Sequence, residues 1–170
     1  MNVILIGMPG SGKSTVGVLL AKAMLKSFVD TDLLVQIKQG KTLIEIIGQK
    51  GIDGFVNIEN EIIKNQMFEN TVVATGGSVV YGREAMEALK KNGRVVYLKV
   101  DPDELEKRVQ NITTRGIAMP EGYTLKELYS ERAPLYEHYA DATVDCTNLN
   151  IEETVINVVK AIERLNGEDY

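Results

Sequence analysis

Apolar residues along this chain follow two rhythms. Short, unbroken, branched runs occupy residues 1–6, 27–31, 71–75 and 93–100, with a weaker one at 142–146. Runs of that length and branching predict strands buried on both faces. Between them, apolar positions recur at helical spacing, as in 13–25, where Val16, Leu19, Leu20 and Ala23 share a face. The same period marks 32–37, 42–48, 52–68, 83–91, 102–111, 124–139 and 151–165. Buried strands that alternate with amphipathic helices predict a parallel sheet, because each crossover helix must pack back onto the strands it connects. The expected class is therefore α/β, in three layers. The stretch 113–122, TTRGIAMPEG, is neither periodic nor strand-like and reads as a mobile loop carrying one arginine.

A chain of 170 residues fits one domain, taken here as 1–170, and can bury roughly 70% of its unfolded surface without staples. Lys plus Arg is 19 against 24 Asp plus Glu, a net charge of −5, which disfavours nucleic acid as a partner. A lone cysteine, Cys146, cannot form an internal disulfide, and the opening MNVILIG has neither a basic leader nor the length of a membrane span. No membrane partner is expected, and the expected compartment is the cytoplasm. Cys146 reads as a small buried hydrophobe, and His138 as a surface or capping residue.

Chemistry enters at Gly7-Met-Pro-Gly-Ser-Gly-Lys-Ser14, which matches G-x-x-x-x-G-K-[ST] between a predicted strand and a predicted helix. Glycines let the backbone curl so that its N–H groups point at phosphate oxygens, and the following helix adds its positive end. Gly10, Ser11, Gly12, Lys13, Ser14 and Thr15 are thus the candidate nucleotide-binding residues, with Lys13 on the terminal phosphates and Ser14 on Mg²⁺.

Two further clusters fall at carboxyl ends of predicted strands, where open α/β sheets bind their ligands. Asp30-Thr31-Asp32 would place Asp30 near Mg²⁺ and Asp32 near a substrate hydroxyl; capping of the next helix by Asp32 is the plainer alternative. Thr75-Gly76-Gly77-Ser78 would let backbone approach a ligand closely, or form a simple strand-to-helix turn. The guanine-reading N-K-x-D of GTPases is missing, and the chain is too short for the subdomains of motor ATPases. What remains is a small-molecule kinase.

Over essentially its whole length the chain resembles the shikimate kinases. The resemblance rests on GMPGSGKST, D-T-D at 30–32, F-x-x-I-E at 55–59, T-G-G at 75–77, the loop arginine, E-R-A-P-L-Y-E at 131–137 and A-D-x-x-V-D at 140–145. It implies a P-loop kinase fold with a five-stranded parallel sheet of order 2-3-1-4-5. It also implies transfer from ATP, with Mg²⁺, to shikimate, giving shikimate 3-phosphate, by a monomer with a lid at about 112–122 and a substrate-binding helical segment at about 32–62. Carried over, Asp32 contacts the phosphorylated hydroxyl, and Gly76, Gly77 and Ser78 lie along the substrate. Arg132 pairs with the substrate carboxylate, Arg115 closes from the lid on the transferring phosphoryl, and Arg108 stacks near adenine. Late arrival of a lid arginine suits a transition state whose charge spreads over equatorial oxygens.

The sequence departs from that family in two places. Val56 stands where a second carboxylate-binding arginine is usual, and Ser78 replaces the third glycine. A lost charge-assisted hydrogen bond is worth about 1.5–3 kcal/mol. Either a cation such as Lys64 stands in, with Glu59 orienting Arg132, or the chain is a sister kinase for another small hydroxylated metabolite. A nucleotide-binding protein without catalysis is the remaining alternative.

Overall fold

The computed structural model describes residues 1–109 and 116–167. Strands β1 (Asn2–Ile6), β2 (Ser27–Asp30), β3 (Thr71–Ala74), β4 (Gly93–Lys99) and β5 (Ala142–Asp145) form one sheet in the order β2-β3-β1-β4-β5. Every neighbouring pair is parallel, with Ile4 opposite Val73 on one side and Val95 on the other. Successive side chains of a strand point to opposite faces. Since Val3, Ile4, Leu5 and Ile6 are all fully buried, both faces of the central strand are covered, as three layers require.

The helices are α1 (Lys13–Ala23), α2 (Thr31–Gln39), α3 (Leu43–Lys64), α4 (Arg83–Lys91), α5 (Pro102–Arg108), α6 (Leu125–Tyr139) and α7 (Ile151–Asn166), with a short 3₁₀ turn at Val79–Tyr81. α3 is interrupted at Gly51, whose φ of 70° only glycine takes without strain, so the two helical segments read from the sequence meet there. The second segment stops at Lys64 rather than continuing to residue 68. No helix of the described residues is long and apolar enough to cross a membrane.

Two differences from the sequence reading bear on the site. β2 ends one residue early, at Asp30, because Asp30 Oδ1 accepts the N–H groups of Asp32 (2.9 Å) and Leu33 (3.3 Å) and so caps α2. The capping role considered for Asp32 therefore falls to Asp30, and the Asp32 side chain is released into a cleft. There are also two cores. The main one lies about the sheet, while Val35, Leu43, Ile46, Phe55 and Ala118 form a separate cluster under α2 and α3, with Val56 packed against it.

Candidate active site

β1 leads into the loop 7–12, which doubles back through positive φ at Gly7 (147°), Gly10 (83°) and Gly12 (91°). Space as well as torsion demands glycine: a Cβ on Gly7 would sit 2.7 Å from the Leu98 carbonyl oxygen, and one on Gly10 would overlap Val109 Cγ2. Lys13, at the start of α1, folds back under the loop and donates its Nζ to the carbonyls of Gly7 and Met8, each at 2.8 Å. Next to it, Ser14 Oγ donates to Asp30 Oδ2 at 2.6 Å. This hydroxyl–carboxylate pair offers the hard oxygen donors that Mg²⁺ prefers, so the residues fit that ion.

A cleft of about 290 Å³ runs from this loop to α6. Gly10, Gly12, Lys13, Ser14 and Thr15 line one end, and Asp32, Gly77, Ser78 and Arg132 the other. Desolvation, with the Asp30 carboxylate adding to it and Lys13 opposing, pushes the Asp32 carboxyl up to about 6. Arg132 is 1% exposed. Its Nε donates to Tyr81 Oη (3.2 Å), its guanidinium to the Ala118 carbonyl (2.5 Å), and its Cζ lies 5.2 Å from the Tyr81 ring centre. A buried guanidinium held this way is a fixed cation, not a surface ion pair.

The loop after β3 is pinned from two sides. The Gly76 N–H donates to the buried Thr31 hydroxyl (3.1 Å), and Tyr136 Oη donates to the Gly77 carbonyl (2.6 Å). Gly76 lies just beneath the cleft wall, where an added Cβ would collide with both Asp32 and Glu59. Thr31, Tyr81 and Tyr136 escaped sequence reading, although Tyr136 lies four residues, about one turn, beyond Arg132 and shares its face. Gln36 on α2 also lines the cleft.

Lys64 does not stand in for the missing arginine: its Nζ bonds Glu61 at 2.5 Å and Glu84 at 3.0 Å, away from the cleft. Arg108 ends α5 bonded to Glu104 (3.2 Å) and to the Cys146 carbonyl (3.4 Å), beside the β5–α7 turn and not on the cleft lining. Cys146 is buried, and burial pushes its thiol up to about 11, while His138 is exposed. Arg115 and residues 112–115 of the expected lid lie outside the described residues.

A glycine loop curled at a helix N-terminus and, lining the same cleft, a carboxylate and a buried cation fit one chemistry: phosphoryl transfer to a small anionic acceptor. The fold and site thus define a small-molecule kinase of the P-loop class. Comparison narrows the class. The family model described as shikimate kinase matches residues 9–163. A shikimate kinase of Thermodesulfovibrio yellowstonii is 37% identical, covering 98% of this chain and 97% of its own length, and one of Clostridium botulinum strain 657 is 39% identical, covering 98% of each. The solved structure of the Acinetobacter baumannii shikimate kinase in complex with shikimate superposes with a TM-score of 0.86 at 28% identity, over 96% of this chain and 93% of that one. The chain belongs to the shikimate kinase family.

Proposed function

We propose that this enzyme transfers the γ-phosphoryl of ATP to a ring hydroxyl of shikimate, forming shikimate 3-phosphate, with the acceptor bound between Asp32 and Arg132. The observation that carries this reading is the single cleft joining the Lys13–Ser14 loop to those two side chains. Ser14 and Asp30 would hold Mg²⁺, whose charge would offset that of the phosphates. Gly10, Ser11, Gly12 and Thr15 supply backbone and hydroxyl contacts to the nucleotide, and Lys13 exchanges its loop carbonyls for the terminal phosphates. Asp32 orients the acceptor hydroxyl and accepts its proton, Arg132 receives the acceptor carboxylate, and Gly76, Gly77 and Ser78 bound the acceptor ring. Arg115 is assigned the late-closing lid position, with the lid at about 112–122, and Arg108 the adenine side. Residues 32–62 carry the acceptor-facing helices. A net charge of −5 suits a protein that works on small anions rather than nucleic acid, and a cytoplasmic monomer is the simplest form of it.

One observation favours a second reading. Among the described residues Arg132 is the only cation at the acceptor end of the cleft, and Val56 packs into the small apolar core. A sister activity on another hydroxylated carboxylate would follow if one arginine holds shikimate too weakly. A coupled assay of ADP release separates the two. Saturation by shikimate at about 1 mM or tighter is expected, and turnover no faster than the ATPase background overturns the reading.

A further inference from the structure

Glu59 on α3 is 1% exposed, yet it forms no ion pair among the described residues. Its Oε2 accepts the Ser78 hydroxyl at 2.7 Å, while Oε1 is enclosed and has no hydrogen-bond partner. Oε1 converges on Asp32: a Cβ on Gly76 would lie 2.6 Å from Glu59 Oε1 and 2.5 Å from Asp32 Oδ1, so the two oxygens are at most about 5 Å apart. We propose that Glu59 is a positioning residue acting as the neutral acid, fixing Ser78 through one oxygen and presenting a proton towards Asp32 through the other. It thereby holds the acceptor wall in shape.

The reasoning follows from what surrounds the side chain. A buried carboxylate with a single hydroxyl donor leaves most of its lone pairs unsatisfied, whereas a carboxylic acid turns the enclosed oxygen into a donor. Val56, one turn earlier on α3, brings no donor. The charged and titratable groups facing Glu59 are Asp32 from α2 and Arg132 and Tyr136 from α6. Arg132 acts on Glu59 through space: its hydrogen bonds go to Tyr81, Ala118 and Tyr136, and Glu59 accepts only from Ser78. Burial first, then the Asp32 charge, push Glu59 up to about 8, with Ser78 and Arg132 opposing. Gly76 gives the clearance that lets the two carboxyl groups approach.

This rests on the acceptor reading of the cleft, so the test has one arm that needs no substrate. Infrared titration of the ligand-free full chain, begun at neutral pH, should show a carboxylic C=O band that fades around pH 8 in the native protein and is missing from Glu59→Gln. In assays, Glu59→Ala should raise the acceptor KM more than it lowers kcat. Glu59→Gln, the permanent mimic of the acid, should rescue that KM at neutral pH. The native kcat/KM should fall about tenfold per pH unit on the alkaline side, and Glu59→Gln should lose this fall. A native band that is absent at neutral pH, or an alkaline fall that persists in Glu59→Gln, overturns the proposal. Lack of shikimate turnover by the native enzyme overturns the acceptor reading instead, and the infrared arm still decides whether Glu59 holds its proton.

Discussion

Asp32 shows how function and stability compete within one side chain. Its carboxyl ordinarily titrates at 3.8 but is held up to about 6 by desolvation and by Asp30. The folded state therefore keeps a proton that the unfolded chain releases, and stability falls as pH rises through that window. At pH 7 the ionised group costs the metal-free fold at most about 3 kcal/mol. Asp32→Asn should thus raise the melting temperature of the ligand-free protein at pH 7, with the gain vanishing below pH 3.8, while kcat drops about 10²–10⁴-fold. Calorimetry at two pH values and a turnover assay check both halves, and an unchanged melting temperature refutes the burial argument. Arg132 is the converse case, a buried charge that the proposed acceptor site would use for its carboxylate. Arg132→Ala should raise the acceptor KM at least tenfold and leave the ATP KM near native. An acceptor KM that does not move removes Arg132 from the carboxylate site.

At the scale of elements, α6 is the member that aligns the acceptor end. Arg132 and Tyr136 project from one face, and Tyr136 stacks on Tyr97 of β4 with ring centres 5.1 Å apart while its hydroxyl holds the Gly77 carbonyl. Tyr136→Phe keeps the ring but leaves that carbonyl without its donor, at a cost of about 1–3 kcal/mol. The urea midpoint should fall accordingly, and the acceptor KM should rise while nucleotide affinity holds. A loss of ATP binding instead would mean that the damage spreads through the sheet. Helical period was enough to place α6 and to separate the two segments that meet in α3, because both depend on residues near in sequence. The N-cap of α2 is not decided by sequence, since Asp30 and Asp32 are equally good caps on paper and only the exit direction of β2 chooses between them. The contacts of Tyr136 and Thr31 cross the chain and left no local trace.

For the whole molecule, the sheet order places the phosphate loop and the loop after β3 side by side, since β1 and β3 are neighbours, and the smaller core beneath α2 and α3 carries the opposite wall of the cleft. The nucleotide end was legible because its chemistry is written in one contiguous motif. At the acceptor end, Asp32 and Gly77 were read from their place at strand ends, whereas Arg132 was read only through resemblance, because it comes from a distant segment. Where the resemblance failed, at Val56, sequence could not say that Lys64 is committed to Glu61 and Glu84. A cleft with two such ends should show separable ligand stabilisation. ATP with Mg²⁺ at about 100 times Kd should stabilise the native protein by about 2.7 kcal/mol, which for a chain of this size is a rise of about 5–11 °C in melting temperature. Lys13→Ala should lose the ATP shift but keep the shift given by shikimate, and Arg132→Ala should do the reverse. If Lys13→Ala retains the full ATP shift, the loop 7–14 is not the phosphate site, and if either variant loses both shifts, the two ends are not independent walls of one cleft.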